Sequence, residues 1–183
     1  MLRILQFNAF TLCTRARREV VAKQLDTLNI AIAGFQETRT RHRSVREELG
    51  FIVAASGSHA ALGCEIWLSV KNWTFEQRRV RVEDVAILDA GPRHLIIKVN
   101  CALTPFAIVC AHSLTAGAEE ALVGEWWADM AARCREAAQG CPILMAIDAN
   151  SDLNAAEGHG QQHVRRPARA QRVAARVRAC FGE

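Results

Sequence analysis

The apolar runs of this 183-residue chain are short, and most have the length of a β-strand rather than that of a helix. Strands in globular proteins usually span about 3 to 10 residues, and a short apolar run bounded by turn residues is typical of a strand inside a sheet. The chain is therefore expected to bury its core mainly between sheets. The segments predicted as strands are 2–10, 30–37, 51–56, 64–70, 85–90, 94–100, 106–112 and 142–150.

Three other segments, 15–28, 40–49 and 117–138, have helical patterns. The charged segment 40–49 is predicted to end at Gly50, since glycine is a common residue at helix C-termini. The first and last segments repeat apolar residues at helical spacing, so each is predicted to bury one face. These faces are Val20, Val21, Leu25 and Leu28 in the first helix and Leu122, Trp126, Met130 and Cys134 in the last.

The order of these elements predicts an α/β fold. The chain opens β-α-β-α, continues as a run of strands, and then adds one helix and one strand. Alternating strands and helices favour central, parallel strands, whereas consecutive strands favour antiparallel pairs. Gly91-Pro92 marks a turn between two of the consecutive strands. Two packed mixed sheets flanked by helices account for all of these features.

Composition limits the compartment and the class of site. No apolar run approaches the roughly 18 residues of a membrane span, and the N-terminus lacks the apolar stretch of a signal peptide, so an intracellular protein is expected. The seven cysteines form no CxxC pair, which gives no support to a zinc ribbon or a thioredoxin-type motif. Buried, reduced thiols are expected instead.

The net charge of +4 comes from the end of the chain. Residues 158–183 contain six arginines and one acid, Glu183, so they carry +5 and leave −1 for the rest. Net charge therefore gives little reason to regard the body as a nucleic-acid binder. Residues 155–183 are predicted to be a basic tail that includes a short amphipathic helix.

Four predicted strands end in polar side chains. Burying such groups costs several kcal/mol unless they are paired or bind a metal, and ligands of α/β sheets commonly lie at the carboxyl ends of strands. We therefore expect these groups to converge on one site, although each alone has a bland explanation as a turn former, a helix cap or a core histidine. The residues are Asn8 in LQFNAF, Gln36 and Glu37 in GFQET, His112 in VCAHSL, and Asp148 and Asn150 in AIDAN.

This ordered set resembles the endonuclease/exonuclease/phosphatase superfamily, whose domains have the DNase I-like fold. The matching segments, LRILQFNA, GFQET, VCAHS and MAIDAN, extend from residue 2 to about 154. Glu125-Trp126-Trp127 before the last strand is most similar to the endonuclease domains of non-LTR retrotransposons. The resemblance implies a four-layer α/β/β/α sandwich of two mixed sheets over residues 1–154.

The resemblance also implies a reaction, metal-dependent phosphodiester hydrolysis, with DNA as the expected substrate. It assigns Glu37 as the ligand of Mg²⁺ or Mn²⁺ with Asn8 beside it, a chemistry that suits oxygen donors. Asp148 would orient or deprotonate the attacking water. His112 would contact the phosphate or assist the leaving group, and Asn150 would hydrogen-bond the scissile phosphate.

One part of the family pattern has no counterpart in this sequence. In the family, further strands follow the D-x-N strand and carry an Asp and a final His that act together as the general base. His159 and His163 follow Asn150 too closely and lack strand context, so they are expected to be tail residues. The sequence thus predicts a domain that is incomplete at its C-terminus.

Several functions stay open on the sequence alone. The chain can be an endonuclease, a phosphate- or nucleic-acid-binding remnant without turnover, or a hydrolase of a smaller phosphoester or a lipid. An α/β domain with unrelated chemistry is the bland alternative. Arg39, Arg41 and Arg43 follow Glu37, where they can track a phosphate backbone or simply form a solvated helix start.

Overall fold

The structure, a computed structural model, describes residues 2–58, 61–73, 78–100, 104–115 and 117–150. A short 3₁₀ turn, Val82–Asp84, precedes the sixth strand. The strands are β1 (Ile4–Asn8), β2 (Ile32–Gln36), β3 (Ser44–Glu48), β4 (Phe51–Ala55), β5 (Cys64–Ser69), β6 (Val85–Gly91), β7 (His94–Val99), β8 (Phe106–His112) and β9 (Ile143–Asp148), and the helices are α1 (Arg15–Thr27) and α2 (Glu120–Ala138). The predicted tail, 155–183, with its helix and its histidines, lies outside the described residues.

The described residues divide into two compact units. The first reaches His112 and also includes Glu136–Asp148, so it contains all the strands named above and helix α1. The second comprises Ser113–Arg135 with Ala149 and Asn150, and it contains most of α2.

The first unit is built from two mixed sheets. One has the strand order β1-β2-β5-β4-β3 and the other β6-β7-β8-β9. β1 pairs in parallel with β2, and β8 pairs in parallel with β9, whereas every other pairing between these strands is antiparallel. Helix α1 makes the crossover that a parallel β1–β2 pair requires. The predicted α/β class with two mixed sheets is confirmed.

The core of this unit lies on both faces of the first sheet. On one face, Ile66 and Leu68 of β5 join Ile97 of β7 in a cluster that the two sheets share. On the other face, Leu25 of α1 packs in a cluster with Phe35 and Trp67. The unit therefore stacks helix, sheet and sheet, because β2, β4 and β5 of the first sheet are buried along their whole length.

The segment predicted as a third helix is a strand. β3 pairs with β4 through the two-residue turn Leu49-Gly50, in which both residues have positive φ, 53° and 80°. Such turns match the twist of a hairpin and favour glycine. Gly50 therefore closes a hairpin rather than a helix, and pairing with the buried strand β4 overrides the helix-permissive sequence.

The buried helix faces also differ from the predicted ones. In α1, Val20 and Leu28 are exposed while Arg18 is buried. In α2, Leu122 is exposed while Trp127 is buried. The predicted faces are nevertheless correct in part, since Leu25 of α1 and Met130 and Cys134 of α2 are buried. Hydrophobic periodicity cannot identify a face on which a charged residue with a buried partner occupies a core position.

The described residues contain neither a helix that could span a membrane nor a disulfide. None of the helices there is both long and apolar enough to cross a membrane. The five cysteines of the described ranges are free thiols, with Cys64, Cys110 and Cys134 buried and Cys13 exposed.

Gly34 of β2 lies against β9 of the second sheet. A Cβ at this position would lie 2.6 Å from the Cβ of Ala146. Gly34→Ala is therefore expected to lower the free energy of unfolding by about 1–3 kcal/mol through overpacking. Urea denaturation measures the change, with Gly117→Ala as control because a Cβ there meets nothing within 4 Å. Equal effects of the two substitutions would contradict this account.

Candidate active site

Four of the strand-end residues predicted from the sequence lie together in the first unit. Asn8 ends β1, and Glu37 directly follows β2, its parallel neighbour. In the second sheet, His112 ends β8 opposite Asp148, which ends β9. Parallel pairing brings the carboxyl ends of each pair to the same edge of its sheet, which is where side chains converge in such folds.

The four side chains form a compact polar cluster. The Asn8 amide Nδ2 donates to Glu37 Oε1 at 3.1 Å and to Asp148 Oδ2 at 3.4 Å. His112 Nε2 lies 3.7 Å from the same Glu37 oxygen and 3.8 Å from the same Asp148 oxygen. Two carboxylates from different sheets are thus held between one amide and one imidazole.

Glu37 takes an unusual backbone conformation next to a buried, hydrogen-bonded neighbour. Gln36 is fully buried; its Nε2 donates to Ala146 O at 3.0 Å, and its Oε1 accepts from Gln6 Nε2 at 2.7 Å. Glu37 follows with φ 54°, the left-handed region that costs a non-glycine residue about 1–3 kcal/mol. The sequence grouped these residues as a pair, but Gln36 anchors the strand and Glu37 alone enters the cluster.

His112 is buried and predominantly neutral at pH 7. Burial lowers the pKa of His112 below its ordinary value, and the charge of Arg93 acts in the same direction, whereas the carboxylates of Asp148 and Glu37 oppose it. Its Nδ1 has no hydrogen-bond partner within the described part of the chain. A neutral imidazole beside two carboxylates can still donate one proton from Nε2.

Solved structures with this arrangement of sheets are known. The AP endonuclease from Archaeoglobus fulgidus matches with a TM-score of 0.64 and 19% identity, covering 97% of this chain and 70% of that one. The endonuclease domain of TRAS1, a telomere-specific non-LTR retrotransposon, matches with a TM-score of 0.63 and 14% identity. The match covers 98% of this chain and 72% of that one. This chain has the DNase I-like fold. The human Nocturnin catalytic domain, solved with bound sulfate, matches with a TM-score of 0.54 and 12% identity. The match covers 86% of this chain and 70% of that one.

The DNase I-like fold predicted from the strand-end motifs is thereby confirmed. No family model and no curated protein matches the sequence. At these identities the likeness is one of fold, so the roles of the side chains depend on the local geometry.

Asn150, the remaining strand-end residue, lies in the second unit. Its Nδ2 donates to Ser113 O at 2.9 Å, and its backbone has a positive φ of 49°. Ser113 Oγ in turn donates to Ala149 O at 2.6 Å. The contact of Asn150 with a scissile phosphate stays a prediction.

The donor atoms of the cluster suit a hard divalent cation. Among the described residues, no group of three or more His, Cys, Asp and Glu side chains is placed to hold a metal ion. Mg²⁺, however, commonly binds one or two carboxylates and completes its shell with water and substrate phosphate. Glu37 and Asp148 fit this demand, whereas Asn8 Oδ1 already accepts from Phe10 N at 3.2 Å. Metal ligation by Asn8 therefore requires its amide to turn over.

Phe10 is a feature beside the site that the sequence did not single out. It lies two residues after Asn8, is 65% exposed, and has a positive φ of 55°. An exposed aromatic in a strained conformation is the kind of outlier that functional sites accumulate. A phenylalanine in an alternating apolar segment predicts only a strand residue, so no sequence signal marks it.

Proposed function

We propose that this chain is a metal-dependent phosphodiester hydrolase that nicks DNA as an endonuclease. The observation that carries the proposal is the pair of carboxylates, Glu37 and Asp148, held by Asn8 and a neutral His112 at the strand ends. It is supported by the fold, because two of the similar structures are endonucleases: the AP endonuclease and the TRAS1 endonuclease domain. Fold alone does not fix chemistry, so the proposal depends on the cluster.

In this proposal Glu37, with Asn8 beside it, would hold Mg²⁺ or Mn²⁺ through its carboxylate oxygens. When bound, such an ion neutralises charge on the phosphoryl oxygens. Asp148 orients the attacking water and accepts its proton, since its Oδ2 is fixed by Asn8 at 3.4 Å. His112 is neutral and donates from Nε2 to a phosphoryl or leaving oxygen. Asn150 is proposed to hydrogen-bond the scissile phosphate.

A second candidate function is binding of phosphate or nucleic acid without turnover. One observation favours it: as far as the described residues extend, His112 is the only histidine of the cluster. The family resemblance calls for an additional Asp–His pair as general base. If Asp148 cannot replace that pair, the site binds its substrate and does not cleave it.

Nicking of supercoiled plasmid distinguishes the two candidates. With Mg²⁺ or Mn²⁺ the protein is expected to convert supercoiled plasmid to open circles, and EDTA should stop the conversion. Asp148→Asn should slow it about 100-fold or more, the usual cost of losing a general base. Plasmid binding without nicking in either metal would support the second candidate. Neither binding nor nicking by a folded protein would overturn both.

A further inference from the structure

A basic pocket of about 720 Å³ lies in the first unit and is lined in part by residues 39–41, which follow Glu37 closely in the chain. It opens between the start of α1, the segment after β2, and β3. Leu12 N donates to Thr38 O at 2.8 Å, and Cys13 Sγ donates to Arg39 O at 3.2 Å. These bonds join the pocket wall to the segment that begins with Glu37. Asn8, Glu37, His112 and Asp148 do not line it.

The lining of the pocket is dominated by arginine. Glu48 is the single acid among the described residues that line it. Guanidinium groups bind phosphate through paired hydrogen bonds and keep their charge at any physiological pH. The arginines of the pocket are Arg15, Arg18, Arg39, Arg41 and Arg46.

Three of the five arginines are paired with carboxylates, and two are not. Arg15 pairs with Glu19 at 2.8 Å, Arg18 pairs with Glu48 and Glu65 at 2.9 and 3.0 Å, and Arg46 pairs with Glu48 at 3.0 Å. Arg39 and Arg41, by contrast, form no ion pair with another described residue. The pocket therefore has excess positive charge where Arg39 and Arg41, in the segment after Glu37, line it.

Arg18 adds an unmet hydrogen-bond donor. Its side chain is 6% exposed, and its Nη2 has no acceptor among the described residues. A buried donor without a partner is uncommon in folded proteins and is often satisfied by a ligand or an ion. A phosphate oxygen is an acceptor of the right charge.

We propose that this pocket is a second phosphate-binding site, which holds a phosphate of the ligand other than the one at Glu37 and Asp148. The identity of that ligand as a polynucleotide rests on the proposed function. A hydrolase of small phosphomonoesters needs one phosphate site, whereas two sites select ligands with several phosphates. The phosphate can be an internal diester of a strand or a terminal monoester.

Binding without turnover tests the pocket separately from catalysis. The probe is a fluorescein-labelled single-stranded oligonucleotide, followed by anisotropy in EDTA at several salt concentrations. The double variant Arg39→Gln with Arg41→Gln is expected to bind about tenfold more weakly. The slope of log affinity against log salt should flatten by roughly 1.4, because each lost contact to a single strand contributes about 0.7.

The matched control removes two charges elsewhere on the surface. Arg17 and Lys23 lie exposed on α1 and do not line the pocket. Arg17→Gln with Lys23→Gln should leave affinity and slope close to those of the unaltered protein. Equal losses in the two double variants would overturn the proposal, since general charge would then explain the binding.

Glu48→Gln is expected to change oligonucleotide affinity in the opposite direction from the arginine substitutions. Partial burial favours the protonated form of Glu48, yet the hydrogen bonds and charges of Arg18 and Arg46 outweigh it, so the pKa of Glu48 lies below its ordinary value. The carboxylate is thus ionised at pH 7 and competes with an incoming phosphate. Its removal is expected to raise oligonucleotide affinity several-fold, and an unchanged affinity in a folded variant would count against the pocket.

Two further arms identify the phosphate. A 5′-phosphorylated oligonucleotide that binds more tightly than its 5′-hydroxyl form, with competition by inorganic phosphate, indicates a terminal monoester. Equal binding of the two forms indicates an internal diester. Failure of the proposed function has a different signature, because a chain that never nicks plasmid can still lose affinity through Arg39 and Arg41.

Discussion

Glu37→Gln is expected to lower metal-dependent plasmid nicking about 100-fold or more and to change the free energy of unfolding by less than about 0.5 kcal/mol. Glutamine keeps the size of the side chain and the oxygen that accepts from Asn8. It removes the charge that would hold a divalent cation. Initial nicking rates and urea denaturation of the same preparation measure the two quantities.

The control for Glu37 is an exposed glutamate in the same unit. Glu83→Gln removes the partner of Arg81 in a surface pair, which is worth little, so both nicking and stability should be preserved. A purely structural Glu37 gives the opposite pattern: the variant would lose stability, and its nicking rate per folded molecule would be normal.

Glu65→Gln is expected to lower the free energy of unfolding by about 3–5 kcal/mol, because it leaves the charge of Arg18 buried with less compensation. Glu65 is fully buried in β5 and accepts from Arg18 Nη1 at 3.0 and 3.1 Å. It also accepts from Trp67 Nε1 at 2.6 Å and from the Thr40 hydroxyl. Urea or thermal denaturation followed by circular dichroism measures the loss.

Two comparisons make this result specific to the buried pair. Glu47→Gln changes an exposed carboxylate of β3 and is expected to be nearly neutral. Arg18→Met combined with Glu65→Leu removes both charges, and replacement of a buried pair by apolar residues is often neutral or stabilising. A double variant as unstable as Glu65→Gln would show that burial of charge is not the source of the loss.

The strands and the site cluster could be predicted because their signals are local. A short apolar run that ends in Asn8, His112 or Asp148 is visible in the sequence, and the carboxyl ends of parallel strands are brought to one edge by the fold itself. The turn at Gly91-Pro92 is likewise local, and Gly91 pairs with His94 across it. Each of these features follows from a few consecutive residues.

The missed features depend on partners far away in the chain. Arg18 is buried because Glu65, 47 residues later, supplies the opposite charge, and no periodicity reveals that match. β3 is a strand because β4 pairs with it, although its own residues permit a helix. Gln36, which precedes Glu37, is anchored by a hydrogen bond to Ala146, 110 residues later.

The site is divided between the two sheets, since Asn8 and Glu37 belong to one and His112 and Asp148 to the other. In the interior, the two sheets lie in close contact where Gly34 meets Ala146, two residues before Asp148. A single methyl group added between the sheets is therefore expected to change the distance between the two carboxylates. The geometry of the candidate site is thus expected to respond to a substitution in the interior, at a residue that is not part of the cluster.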